Sequence, residues 1–592
     1  MKDISYEIKE IEKNETGANY NVTIFVPMEM GYIENVYFII ENSKKRNYIM
    51  LKYKECKNDM AIFEKDISLK TCAIYHYHFT FTANGKKMKH EGSKMSVNFK
   101  VPDWAKGKIM YHIFVDRFNK KDGKTKELKN RIIHRNWNED IIIGPDKNGR
   151  WNTDFYGGNL KGIIEKLDYI KSLGTSIIYL SPICTSQSNH RYDTANYEEI
   201  DPYIGDEKDL IKLCEKAHDK GMKIILDAVF NHTGNDSIYF NEYGTYNKLG
   251  AYQSKTSPYY NFYRKNDDNF DYWWGMKNLP VCDGNSKQWQ DYIYGEGGII
   301  DKWFKYGIDG LRLDVADELT DEFIEGIRKA VKRNKDDGFI LGEVWENPMR
   351  MNRTYIESGK AMDSVMNYQL VDALIRYFKY ADTQKIIKII NEIKYDYPKE
   401  TMLSLMNFTS THDISRAINI FSSDRFRLDG QWAWNLKDED YEKSRKFHLT
   451  EQEYRKGLEI YKSYVFALAF LPGNLSIFYG DEIGMEGEGN LSNRRPFTWD
   501  KIDYDLLKYF KYIGHIRNNE PLLEKAKLEI IDITDKLMMF ERGDEILTVI
   551  NRTAEEININ LPKEYQKSSK TYSIRKTNKY ILTPHNGLSI KK

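Results

Sequence analysis

Cysteine is scarce and unpatterned. Cys56, Cys72, Cys184, Cys214 and Cys282 are five in 592 residues, an odd number with no C-x-x-C pair. That excludes a disulfide framework and a thiolate zinc ribbon, and it points to reduced thiols in a reducing compartment. Long apolar runs are missing: nothing approaches the ~18 residues of a membrane span. The opening MKDISYEIKEIEKNE lacks the apolar stretch of a signal peptide. A cytoplasmic protein with no membrane partner is therefore expected. Charge of one sign is also missing, since 89 Lys and Arg against 88 Asp and Glu leave a net charge of +1. Nothing in that balance draws the chain to nucleic acid. The stretch GEGG at Gly295 to Gly298 lacks the spacing of a dinucleotide-binding turn.

What the chain has is length and aromatic side chains. A chain of 592 residues is too long for one compact unit and implies two to four domains. Aromatics make up 14%, and their flat apolar faces with polar edges suit sugar rings, though a Tyr-rich β protein has the same composition.

Residues 1–102 read as an N-terminal β-sandwich. Tyr75 to Thr82 alternates aromatic and polar at period two, and Asn84-Gly85 supplies a hairpin turn. Further short strands are expected over Asn21 to Pro27, Val36 to Ile40 and Met95 to Val101. From residue 103 to about 518, apolar strands alternate with helical patterns. The strand candidates begin at Ile109, Ser176, Lys223, Gly310, Phe339, Asp363, Thr401 and Leu475. Eight β-then-α units predict a closed parallel (β/α)₈ TIM barrel. Residues 232–288 are too long for a plain loop and predict an inserted subdomain after strand three. Residues 519–592 return to a β texture and predict a small antiparallel C-terminal domain.

The chemistry sits at the strand ends. Strand three ends in Asp227 to His232, strand four in Arg312-Leu313-Asp314, strand five in Glu343-Val344-Trp345, and strand seven in Thr411-His412-Asp413. A parallel barrel gathers all its carboxyl-terminal strand ends on one face. Asp314, Glu343 and Asp413 should therefore converge, with His232, His412 and Arg312 beside them. Three convergent carboxylates suit either a hard metal or glycoside cleavage. Arg312, two residues before Asp314, points the same way from a strand and favours the second. A cation there keeps Asp314 ionised, as a nucleophile requires, and a metal cage rarely contains an arginine. Glu343, between an apolar strand and Trp345, has the desolvated setting a proton donor needs. Asp413 would grip sugar hydroxyls. His190 and Tyr192 follow strand two, where Tyr192 can stack on a sugar. Taken singly, an acid at a strand end is more often a helix cap, and Asp227 could simply brace Arg312. Four strand ends together carry the inference.

These segments resemble the α-amylase family, glycoside hydrolase family 13. DAVFNH, GLRLDVADE, LGEVW and STHD look like its four signature regions, in order. IYLSPI with SNHRYD, IFYGDEIGMEG with NRRPFTWD, and NLPVCD extend the likeness over about residues 104–515. The resemblance implies a retaining hydrolase of α-glucans with Asp314 as nucleophile, Glu343 as acid/base and Asp413 as transition-state stabiliser. It further implies sugar contacts from His232, Arg312, His412 and Tyr192, and a structural role for Asp227. Within the family, the neopullulanase, cyclomaltodextrinase and maltogenic amylase group is the most similar. Members act on maltodextrins, cyclodextrins or pullulan and often dimerise, so a homodimer enters as an expectation. VADE in place of VANE leaves the α-1,4 against α-1,6 preference open. No cofactor is required. Asn119, Asp122 and Gly158 resemble a thinned calcium site, with Asn159 where an Asp is common. A transglycosylase or sucrose-active relative, and an inactive sugar-binding homologue, are the alternatives.

Overall fold

The structure is a computed structural model. It describes the chain apart from residues 1–2, 15–16, 43–44, 71–72, 98–99, 123–130, 148, 268, 350–354, 358, 426–444, 569 and 578. Cys72 and Gly123 thus lie outside the described residues. The chain divides into two compact units, one of residues 1–100, 347–363 and 392–402, the other of residues 101–346, 364–391 and 403–592.

The first unit is built on two four-stranded antiparallel sheets. One orders Ser5–Asn14, Gly17–Pro27, Met60–Leu69 and Lys52–Lys57, and the other Arg46–Met50, Ile33–Glu41, Ala73–Ala83 and Lys86–Val97. Both contribute to one core that includes Val22, Ile24, Phe38, Phe79 and Phe81. The expected alternation holds: Tyr75, Phe79 and Phe81 are buried while Thr80 and Thr82 are half-buried. Asn84 (φ 46°) and Gly85 (φ 77°) make the tight turn that matches the twist of the hairpin. Segments from later in the chain join this unit. Tyr395 stacks on His76 at 4.3 Å, and Lys94 Nζ donates to the Tyr397 carbonyl at 3.0 Å.

The second unit holds an eight-stranded parallel sheet. In barrel order its strands are Ile109–Ile113, Thr175–Leu180, Lys223–Ala228, Gly310–Leu313, Phe339–Gly342, Ser364–Val365, Met406–Phe408 and Asn474–Phe478. Strand eight pairs with strand one, and a Met366–Met406 bridge joins strand six to strand seven, so the sheet closes on itself. The strands are buried along their length, as a barrel sheathed by helices requires. One expectation fails. The apolar run from Thr401 starts as a helix, Lys399–Ser404, and only Met406–Phe408 is strand. A short apolar run meets the burial demands of either state, and Pro398 just before it suits a helix start.

The excursion after strand three contains little regular structure. It is organised around aromatic side chains, with Phe240 packed against Tyr263 (5.0 Å) and Phe270 (4.9 Å). His232 bridges back to Val281 and Tyr263 to Cys282, which folds the segment over the barrel mouth. The C-terminal part carries a five-stranded antiparallel sheet between Leu528 and Lys591. Buried Arg542 fastens it, donating to the carbonyls of Phe470 (2.6 Å) and Leu523 (2.8 Å).

Candidate active site

Register sets the level of each side chain. Asp227 pairs with Arg312 across strands three and four, so both project to the same side. Tyr179 on strand two sits one pleat below, stacked on His112 of strand one at 4.1 Å. The Tyr179 hydroxyl donates to Asp227 at 2.6 Å and the Tyr192 hydroxyl at 2.7 Å. Arg312 Nη1 donates to Asp227 Oδ1 at 2.8 Å. Asp227 is thus fully engaged in holding Arg312 and Tyr192.

Arg312 is the hub. Its Nη1 also donates to Asp314 Oδ1 at 2.7 Å, and Nη2 lies 2.8 Å from Glu343 Oε2. The two acids therefore sit within the span of one buried guanidinium. Three carboxylates thus share the one cation, Asp227 and Asp314 by hydrogen bonds and Glu343 by an ion pair. Burial pushes the Asp314 carboxyl up, Arg312 opposes, and the charges of Glu343 and Asp227 push the same way as burial. Protons in such a cluster belong to the set rather than to one member.

Glu343 accepts from the Val315 backbone N–H at 3.0 Å and from the Trp345 indole at 3.0 Å. Trp345 thereby contributes a donor as well as the apolar wall expected of it. Its ring is fixed by stacking on Tyr368 at 3.9 Å. Val315 delivers its N–H from a left-handed backbone (φ 46°, ψ 45°). That conformation is costly for a β-branched residue, and strain of this kind persists where surrounding contacts impose it.

Asp413 lies 3.2 Å from His412 Nε2 and 3.6 Å from Arg494 Nη2. The His412 ring stacks on Tyr192 at 4.9 Å. His232 stacks on Trp273 at 5.2 Å, and burial lowers it to about 4, so it is neutral near pH 7. Its Nε2, like His412 Nδ1, is buried without a hydrogen-bond partner among the described residues. Such nitrogens cost free energy until a ligand satisfies them. His190 takes the Tyr192 N–H on Nδ1 at 3.1 Å and so shapes the turn that presents Tyr192.

Asp314, Glu343, Asp413, Tyr192, His190, His232, His412 and Trp345 line one cleft of about 1270 Å³, while Arg312 and Asp227 lie behind it. The sequence reading missed several of its residues. Arg494 was available from NRRP, and the Trp273-Trp274 pair from its own rarity. Both indoles donate to Glu318 Oε1, at 3.1 and 2.8 Å, which sets a two-ring wall on the cleft. Tyr179 had no signal beyond an apolar strand, and nothing in the sequence marks Val315 as strained.

At the calcium candidates the asparagine side chains have protein partners. Asn119 turns its amide N–H groups to the Gly162 carbonyl and to Glu165, each at 3.0 Å. Asn159 Oδ1 accepts from Gly162 N at 2.7 Å and caps a helix. Lys121 Nζ already holds Glu165 at 2.6 Å. Gly158 is there for close packing, since a Cβ would meet the Val115 carbonyl at 2.2 Å. Among the described residues no group of three or more acidic, His or Cys side chains is placed to hold a metal.

Burial also makes a pH prediction. Asp413 is pushed up to about 7 by desolvation first and the Glu343 charge second, with Arg494 opposing. A carboxyl held above its unfolded value stabilises the fold when protonated. That contribution is complete below about pH 4 and is lost as pH rises through about 7. The stability of the unliganded protein, and its melting temperature with it, should therefore fall between about pH 4 and about pH 7, by at most about 1.4 kcal/mol per pH unit for this group. Calorimetry of Asp413→Asn should give a flatter profile.

A closed parallel barrel that gathers acids and one buried arginine at its carboxyl-terminal mouth defines a barrel protein with a carboxylate-lined cleft. The alpha-amylase family profile, "Alpha amylase, catalytic domain", matches residues 112–518. An amylopullulanase of Thermoanaerobacter thermohydrosulfuricus is 36% identical over 494 residues, covering 75% of this chain and 32% of that protein. A cyclomaltodextrinase of Geobacillus thermopakistaniensis is 30% identical over 489 residues, covering 78% of this chain and 72% of that protein. The type III pullulan hydrolase structure from Thermococcus kodakarensis shares the fold over the full length of both chains, with a TM-score of 0.70 at 23% identity. The chain belongs to the α-amylase family. It spans about a third of the length of the amylopullulanase it matches.

Proposed function

We propose that the protein is a retaining α-glucan hydrolase, cutting α-1,4 and also α-1,6 glucosidic bonds in maltodextrins, cyclodextrins, starch or pullulan. The observation that carries this is the pairing of Asp314 and Glu343 on one guanidinium inside the cleft. In the first step Glu343 gives a proton to the glycosidic oxygen while Asp314 attacks the anomeric carbon. The bond to the leaving sugar breaks and a glycosyl ester forms on Asp314. Glu343, now a carboxylate, takes a proton from water, which displaces Asp314 with net retention. Asp413 accepts hydrogen bonds from hydroxyls of the reacting ring, and His232 Nε2 and His412 Nδ1, without partners among the described residues, add theirs. Tyr192, braced by Asp227, offers its ring as a floor.

The names of the relatives, amylopullulanase and cyclomaltodextrinase, support this substrate class. A panel of soluble starch, pullulan, β-cyclodextrin, maltotriose and sucrose, read by product chromatography, tests it. Release of new reducing sugar from an α-glucan is the expected outcome; activity on sucrose alone, or on none of the five, refutes the proposal. The reading assigns no step to a metal, and the Asn119 amide N–H groups are spent on the Gly162 carbonyl and Glu165. Chelator treatment is expected to leave both kcat and the melting temperature unchanged, and a loss restored by calcium would contradict that reading. A cytoplasmic location agrees with the free thiols at Cys56, Cys184, Cys214 and Cys282. Among the described residues no helix is long and apolar enough to cross a membrane. A homodimer rests on the family resemblance and is read directly by sedimentation.

A further inference from the structure

The cleft extends to a rim that the proposed chemistry does not use. Trp151 and Tyr243 line it while remaining 45% and 59% exposed. Large aromatic surface left in water inside a cleft is costly and marks a contact site. These rings are held in place. Asp146 closes a tight loop by accepting the Arg150 N–H on its side chain at 2.9 Å and the Gly149 N–H on its carbonyl at 2.9 Å. The Asn152 carbonyl, just past Trp151, accepts the Asn189 N–H at 2.8 Å. That bond ties the loop to the turn bearing His190 and Tyr192. On the other side, the Arg150 guanidinium sits 5.7 Å from the Tyr243 ring centre, and the Tyr243 hydroxyl accepts from Asn235 Nδ2 at 3.1 Å.

Polar groups accompany the rings. Arg150 Nη1 and Asp236 Oδ1 are both buried with no hydrogen-bond partner among the described residues, and Asp236, 4% exposed, lines the same cleft. A guanidinium donor and a carboxylate acceptor beside flat rings match a neutral ligand with apolar C–H faces and equatorial hydroxyls. The acid argues against an anionic ligand.

We infer that Trp151, Tyr243, Arg150 and Asp236 form a distal glucose-binding subsite, so that the protein favours long α-glucans over short ones. This rests on the α-glucan reading above. A glucose unit would lay its C–H face on the Trp151 indole while Arg150 and Asp236 take its hydroxyls. Because none of the four side chains takes part in bond cleavage, binding there contributes to ground and transition states alike, and its loss appears in KM.

The experiment compares kcat/KM for soluble starch and for maltotriose. In Trp151→Ala the starch-to-maltotriose ratio is expected to fall about tenfold, mainly through KM, as loss of one buried aromatic contact predicts. Trp151→Phe should keep the ratio within about threefold of the parent, because a ring remains. An unchanged ratio in Trp151→Ala, or equal losses on both substrates, would overturn the inference. Calorimetric titration of maltoheptaose into Glu343→Gln protein, with and without Trp151→Ala, separates the two readings. Binding weakened about tenfold by Trp151→Ala supports the subsite even if no α-glucan is hydrolysed, an outcome that removes the hydrolase reading alone. Equal binding by both proteins removes the subsite alone.

Discussion

Asp314→Asn is expected to lower kcat by about four orders of magnitude or more on every α-glucan cleaved, because the covalent route closes while binding persists. The substitution keeps the shape and an acceptor oxygen for Arg312 Nη1, so the hub of the site stays hydrogen-bonded. The variant should therefore fold, with a melting temperature close to the parent's, and should still bind maltoheptaose. Turnover within about tenfold of the parent would mean that another group attacks the anomeric carbon.

Glu343→Gln separates the acid from the nucleophile. With a natural glucan, whose leaving oxygen needs a proton, kcat should fall by about 10²–10⁴-fold. With an activated aryl or fluoride glycoside the first step needs no acid, and that step should survive. The second step still lacks its base, so the glycosyl ester accumulates and an initial burst of released aglycone appears. Azide, which attacks without a base, should restore steady turnover and leave a glycosyl azide. Two donors converge on Glu343, from Val315 and Trp345, with Arg312 Nη2 paired to it by charge. Gln can keep one acceptor oxygen among them, so the loss reports proton transfer rather than collapse of the site.

The parts of this site legible in the sequence are those fixed by strand register. Asp227, Arg312, Asp314, Glu343 and Asp413 stand at strand ends, and a parallel barrel brings strand ends to one level. Period two within strand four was enough to place Arg312 and Asp314 on one side. Sharing was not legible. That Arg312 also reaches Glu343 depends on a neighbouring strand, and pair spacing along one strand carries no information about it. Residues from excursions were missed for a similar reason. Trp273, Trp274 and Tyr243 reach the cleft by loop paths with no periodicity to project. Val315 went unseen because its side chain disfavours the backbone that it adopts, and the strain is imposed by tertiary contacts. The Thr401 run misled because burial alone does not distinguish a helical turn from a strand.

The central claim is that Asp314 becomes covalently bonded to the sugar. Glu343→Gln protein mixed with an activated fluoro-sugar donor should hold that ester long enough for peptide mass mapping. The account predicts one added glycosyl mass, on the peptide that contains Asp314 and lost when Asp314→Asn is introduced. A label on Asp413 instead, or one that persists in the double variant, would contradict it.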